Sequence, residues 1–331
     1  MSQFETTFGD IRSLAQRPAD PQTWRLFMGA MARVRQDDVA LEEYAREVAR
    51  RWPDAQRVAP AYMTRAMEEG GVPRWLHLTR ALTLSPATSQ WIGRVALSSV
   101  THLTYDAAWD SAEDAVRRIL GGSFLRGLRA FAVVRASDGP RVALALGEER
   151  WPATLEEVAL RPARLGFLGA QALVGAGGLE RLNALVLDDP RCGVAGARLI
   201  LDAAGSGLTL RALSLVGTSG FTLGDAGARA LAELAPDSLR ELALCRQGIS
   251  DAGARALASS ALSTHLERLD LSDNLIGDAG ARALSGLLRE GRRLDLSGNR
   301  VGSPGAYALH AALSRGASIA LDRNPVWRSG R

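Results

Sequence analysis

Lysine is absent from this chain of 331 residues: all forty basic residues are arginine. Arginine suits bidentate contacts with carboxylates and phosphates, although genomic base composition produces the same bias. Amine-directed chemistry therefore reaches only the N-terminus. Metal-ligand spacing is missing too, since His77, His102, His265 and His310 stand in unrelated contexts, without ligand spacing to each other or to Cys192 and Cys245. No metal and no cofactor are expected. There is no G-x-S-x-G, no phosphate-binding loop and no acid/base constellation, which argues against an enzyme. "GAGG" at 175–178 follows a helix pattern and precedes a strand, the reverse of the order that aims a helix N-terminus at phosphate. It reads as a helix-ending turn. No apolar run reaches membrane-spanning length, and "MSQFETTFGDIRSLAQ" has neither the basic start nor the apolar core of a leader. The expectation is a cytoplasmic protein with no membrane partner. A net charge of +4 is small for this length and does not by itself call for nucleic acid.

What the chain does have is a large apolar fraction, 47% against 23% charged, enough to bury a sizeable core. It also has a repeat. "LDLSDNLIGDAGARALSGLL" at 269–288 returns as "LDLSGNRVGSPGAYALHAAL" at 294–313. Leu269 and Leu271 alternate with polar residues as in a strand, whereas Ala281, Leu284, Leu287 and Leu288 follow helical spacing after a capping Asp278. One unit is a strand, a turn and a helix. Its central strand residue is traced through Leu103, Phe131, Val158, Leu185, Leu213, Leu242, Leu269, Leu294 and Ile319, at intervals of 25 to 29 residues. Nine units at so even a period specify a repeat architecture.

The phrases "LERLDLSDNLIGDAGARAL", "LRELALCRQGISDAGARAL" and "RRLDLSGNRVGSPGAYAL" resemble leucine-rich repeats, specifically the ribonuclease-inhibitor class with its long repeat and full helix. The resemblance covers about residues 97 to 331 and is strongest in the last four units. It implies an α/β solenoid, a right-handed horseshoe with parallel strands on the concave face and helices on the convex face. The residues support that shape. A strand-helix-strand crossover yields parallel strands, and strands about 4.8 Å apart beside helices about 8 to 10 Å apart force the stack to curve. The sequence departs from the family at its asparagine position. Asn274, Asn299 and Asn324 fit, but Gln247, Thr218, Pro190, Ala163, Ala136 and Ala108 stand at the equivalent places. The side-chain ladder that the resemblance implies should therefore be continuous only at the C-terminal end. Asp225, Asp251 and Asp278 open helices, with Arg229, Arg255 and Arg282 four residues on. Such pairs are worth about 0.2–0.5 kcal/mol and read as local stabilisation. The two cysteines, two units apart at roughly 10 Å, are too distant for a disulfide, and Cys192 reads as a buried small hydrophobe.

Residues 1–90 have a different period. "DPQTWRLFMGAMARVR" has an Asp cap, a Pro in the first turn, and Trp24, Phe27, Met31 and Val34 on one face. "DDVALEEYAREVARRW" repeats the device with Leu41, Tyr44, Val48 and Trp52, ended by Pro53. Two further helices are expected at about 54 to 69 and 74 to 83. The organisation is thus a small all-α region, 1–90, before a domain of about nine repeats, 91–331. The helices read either as a cap on the first repeat or as an adaptor with its own partner. At the other end Asp322, Arg323 and Pro325 discourage further pairing. A monomer is expected, with Trp327 folded over the last core layer.

The leucines point into the core, so the residues between them face the concave side. Ala132, Ala159, Val186, Ser214 and Ala243 form a floor of small groups there; Arg268, Asp270, Arg293 and Asp295 form a charged patch after it. An exposed apolar sheet face is either covered or binds something. "TSGFTL" adds three residues between Leu215 and Gly227 relative to later units, which places Phe221 in a loop insertion that either meets a partner or tucks under its own loop. The expected function is a non-catalytic protein-interaction scaffold that binds a protein partner on the concave face. The alternative is a regulator of a partner enzyme, such as a small-GTPase activator, because Ran GTPase-activating proteins belong to the repeat class that this chain resembles.

Overall fold

The computed structural model describes residues 3–33, 39–69, 76–92, 97–122, 125–175, 177–205, 209–218, 220–313 and 316–325. Helices α1 (Gln3–Ala15), α2 (Pro21–Ala32), α3 (Val39–Ala49) and α4 (Ala61–Glu68) come first. The Asp20 carboxylate accepts the Thr23 N–H at 2.8 Å and so starts α2, with Pro21 at its first position. Trp24, Phe27 and Trp52 are buried against one another with ring centroids 5.4 to 5.8 Å apart. Their polar edges are satisfied: the Trp24 indole donates to the Val58 carbonyl at 2.8 Å and the Trp52 indole to the Asp20 carbonyl at 2.9 Å.

The sequence reading fails at the third and fourth helical segments. In place of one helix from 54 to 69 there is a 3-10 turn, Asp54–Gln56, then α4 starting after Pro60. In place of a helix at 74 to 83 there is a second 3-10 turn, Leu76–Leu78, and then a strand, β1 (Ala81–Leu84). Main-chain pairing decides the matter. Val58 bridges Ala81 on one side, and Leu82 and Leu84 pair with Leu103 and Tyr105 on the other. The buried Arg57 lies beneath this junction, its Nε donating to the Leu78 carbonyl at 2.8 Å. Burial first, and Arg80 second, bring its pKa down to about 10.

Nine strands follow, each with one of the nine residues identified by period as its second residue: β2 (His102–Asp106), β3 (Ala130–Val134), β4 (Glu157–Arg161), β5 (Ala184–Asp188), β6 (Ala212–Val216), β7 (Glu241–Ala243), β8 (Arg268–Asp270), β9 (Arg293–Asp295) and β10 (Ser318–Ala320). With β1 they make one parallel sheet of ten strands in sequence order. Between them run α5 (Glu113–Gly121), α6 (Gly139–Glu148), α7 (Gly166–Gly175), α8 (Gly193–Gly205), α9 (Gly224–Leu234), α10 (Asp251–Ala258), the single turn α11 (Leu262–His265), α12 (Asp278–Ser285) and α13 (Ser303–Leu313). The main crossover helices pack one on the next, and the core lies between this layer and the sheet. The result is an α/β solenoid.

Two side-chain ladders hold the rear repeats. The Asn299 amide donates to the carbonyls of Leu271 at 2.8 Å and Leu296 at 2.9 Å, and accepts the Ile276 N–H at 3.0 Å; Asn274 and Asn324 make the equivalent set. Gln247 continues it by one repeat, donating to the Leu215 carbonyl at 2.7 Å and accepting the Leu223 N–H at 2.8 Å. Thr218 does not, because its hydroxyl turns to Asp189. The second ladder corrects the reading of the helix-opening acids. Asp225, Asp251 and Asp278 do not serve chiefly their own arginines. Asp225 Oδ1 accepts the N–H groups of Ser250 and Gly253, Asp251 Oδ1 those of Gly277 and Gly280, and Asp278 Oδ1 those of Gly302 and Gly305, all at 2.7 to 3.0 Å. Each acid thus caps the helix of the following repeat. A Cβ at Gly253, Gly280 or Gly305 would lie 2.6 Å from that carboxylate oxygen, which is why glycine recurs at this place in the helices. Cys192 is buried and both cysteines are free. Trp327 lies outside the described residues.

Candidate protein-binding surface

Strand register places Ala132, Ala159, Val186, Ser214 and Ala243 side by side in one row across β3 to β7. Each is half-buried, between fully buried neighbours that point into the core. A parallel row to one side reads Ala130, Glu157, Ala184, Ala212 and Glu241. Over the front of these rows opens a cavity of about 200 Å³, floored by Ala132, Ala159 and Val186 and walled by His102, Glu157 and Arg161. Ser214 and Ala243 continue the row beyond it. The physical origin is simple: five small side chains in succession leave the sheet surface low, and the longer residues around them stand up as walls.

The charged patch is in the same two rows, with Asp270 and Asp295 beside Ala243 and with Arg268 and Arg293 beside Glu241. Its groups are largely spent on their neighbours. Arg268 donates to Glu241 at 3.0 Å, while Asp270 and Asp295 accept the N–H groups of Ser272 and Ser297 at 2.9 and 2.8 Å. Phe221 does not tuck under its loop. It is 50% exposed on the rim where the strands end, with the Arg191 guanidinium 4.5 Å from its ring centre. The structure therefore separates the sequence-chosen residues into a floor, a self-paired patch and a rim aromatic about which the floor residues said nothing.

Arg161 and Asp188 were not singled out by sequence, although both lie two residues beyond the inner residue of an L-x-L-type strand. Their charges stand 3.8 Å apart. Burial raises the Asp188 carboxyl, against the opposing influence of Arg161 and Arg246. Burial also pushes the thiols of Cys192 and Cys245 up to about 11. Among the described residues no group of His, Cys, Asp and Glu is arranged to hold a metal, and no helix is long and apolar enough to cross a membrane.

The family model described as "Leucine Rich repeat" matches residues 262–285 and 292–309, the stretch in which the asparagine ladder is complete. No curated protein matches the chain in sequence. Among solved structures, a protein from Bacteroides fragilis superposes with a TM-score of 0.50 at 12% identity, over 79% of this chain and 72% of that one. An internalin from Listeria monocytogenes gives 0.39 at 14% identity, over 87% and 89%. The repeated strand, the polar ladder and the matched segments agree: residues 262–285 and 292–309 are leucine-rich repeats within the ten-stranded α/β solenoid.

Proposed function

We propose that this protein is a non-catalytic scaffold whose protein partner docks on the concave face, over the floor formed by Ala132, Ala159, Val186, Ser214 and Ala243. Leucine-rich repeat folds generally mediate protein-protein contact. The observation that carries the finer reading is the cavity over β2 to β5, where small side chains lie at the centre of a broad sheet face and charged ones surround them. Binding energy concentrates at such central, desolvated contacts. The helices of residues 1–90 act in this reading as a cap, an inference supported by the pairing of Val58 and Ala59 with the edge of β1. The protein acts as a monomer.

Identification of the partner by affinity capture and mass spectrometry comes first, followed by two substitutions. Val186→Arg and Ala159→Arg each place a large charge on the floor without entering the core. Each should weaken binding by about 2 kcal/mol or more, roughly thirtyfold. Arg282→Ala, on the convex side, should leave affinity unchanged. Normal binding by both floor variants, with unchanged melting temperatures, would move the site elsewhere.

A further inference from the structure

The rim where the strands end is built differently from the floor beside it. Arg135, Arg164, Arg191 and Arg246 all adopt left-handed backbone conformations, with φ between 42° and 56°. A residue with a Cβ gives up about 1–2 kcal/mol there. Gly298 occupies the place equivalent to Arg246 in a later repeat, four residues after its central strand leucine, so glycine is compatible with the turn. Arginine holds that place at Arg135 and Arg246, while Arg164 and Arg191 lie two residues further along their own turns, and backbone cost of this kind clusters where side chains have a task.

Two of those side chains, Arg164 and Arg191, converge on one acid. The Asp189 carboxylate is buried, receives the Arg191 Nε–H at 2.9 Å and the Thr218 hydroxyl at 2.5 Å, and has Arg164 Nε at 3.7 Å. Two guanidiniums thus share one carboxylate. Beside them Arg161 lies 3.8 Å from Asp188, and the charge of Arg246 acts on the same acid. Four arginines face two carboxylates in this stretch, a surplus of two positive charges. Of the other acids on this rim, Asp106 is engaged by Arg135 and Asp138 by the Ser111 hydroxyl. Two exposed rings complete the surface. Phe221 lies against Arg191, and Trp109, 55% exposed, lies 5.8 Å from Arg164. A guanidinium stacked on a ring is held flat and keeps N–H donors directed outward in its plane, the geometry that a carboxylate accepts. A cavity of about 170 Å³ opens between Arg191 and Phe221.

We propose that this rim holds an acidic segment of a protein partner, with its carboxylates received by Arg161, Arg164, Arg191 and Arg246 and an aromatic or aliphatic side chain seated beside Phe221. From β2 to β6 the rim spans about 20 Å, the length of about six extended residues. A protein segment fits better than a nucleic acid, because Asp106 and Asp188 interrupt the positive track and would repel a continuous phosphate chain. Arg161 also walls the floor cavity, so one partner reaches both surfaces without a break. The rim inference nevertheless does not require the floor to be occupied.

The test uses the full chain and a fluorescein-labelled, glutamate-rich peptide carrying one phenylalanine, with anisotropy as the readout. Saturable binding is expected, weakened about fivefold to tenfold in the double variant Arg161→Ala/Arg246→Ala and on raising salt from low to physiological strength. Phe221→Ala should weaken it about as much, which keeps the test open should the arginine variant misfold. Arg282→Ala should bind normally, and Ala159→Arg should keep the peptide even where it loses the floor partner. Absence of saturable binding at millimolar peptide would overturn the proposal, as would equal affinity in the rim variants. So would an oligothymidylate of equal charge that binds more tightly than the peptide.

Discussion

The front and rear repeats reach the same fold by different means. From β7 to β10 the strands are three residues long, and the repeats are fastened by buried amides and, as far as β9, by half-buried carboxylates as well. From β2 to β6 the strands are five residues long, and Ala108, Ala136, Ala163 and Pro190 stand where the amides would be. Past the strand ends the main chain continues the pairing in both halves: Ala107 donates to Val134 and Arg135 to Arg161 at the front, Leu271 to Asp295 and Asp273 to Ser297 at the rear. The rear is locked in addition by polar side chains. The front lacks that lock and relies on the shared backbone pairing and on apolar burial.

That contrast can be broken at its weakest joint. Removing residues 1–80 leaves β1 in place but strips its edge of Val58, Ala59 and Arg57 and uncovers Leu82 and Leu84. The largest effect is expected here: a truncated protein that aggregates or melts far below the full chain in a thermal scan. A soluble truncation with unchanged melting would favour an adaptor role for the helices. A smaller effect separates the two halves directly. Asn299→Ala strands the Ile276 N–H in the core and removes one of the two amide donors to the Leu271 carbonyl, and should cost about 2–3 kcal/mol in chemical denaturation. Ala136→Gly, at the equivalent front position, should cost about 1 kcal/mol. Equal losses would mean that the polar ladder is not what distinguishes the halves.

The smallest effect is pH-dependent. Burial alone would raise the Asp225 carboxyl, but donation from the Ser250 hydroxyl, the Ser250 and Gly253 N–H groups and the charge of Arg229 outweigh it and hold the pKa below the ordinary carboxylate range. Because the folded value is depressed, the stabilisation is present above about pH 4 and disappears as pH falls through the folded pKa. Asp225→Asn should therefore show a shallower loss of melting temperature on acidification than the parent. An identical acid profile would remove Asp225 from the account.

The periodic strands were legible because the alternation of Leu269 and Leu271 recurs in weaker form as far forward as Leu103. β1 was not. Leu76, Leu78, Leu82 and Leu84 form a short apolar run that suits a helix or a strand, and only pairing with Leu103 on one side and Val58 on the other resolves it. The helix-opening acids were misassigned for a related reason. Sequence displays Arg255 four residues from Asp251, while the N–H groups that Asp251 accepts lie 26 and 29 residues on. A clue was present in Gly253, Gly280 and Gly305, which recur inside helices where glycine is unfavourable unless something occupies the space of its Cβ. Of the candidate site, the floor was legible from the L-x-L rule. Of the rim only Phe221 was, because Trp109, Arg164 and Arg191 belong to three different repeats and meet only in three dimensions.

The two ladders run in opposite senses along the chain. Each aspartate reaches forward to the next repeat, and each asparagine reaches back to the one before: Asp278 to Gly302 and Gly305, Asn299 to Leu271 and Ile276. From β7 to β9 the solenoid is therefore reciprocal, with each junction fastened from both sides, whereas the junction of β9 with β10 has the asparagine alone, Ser303 standing where the aspartate would be. Fraying from the C-terminal end must break Asn324 away from Leu296 and Val301 before any strand further in is exposed. The final short strand serves as the latch of the array.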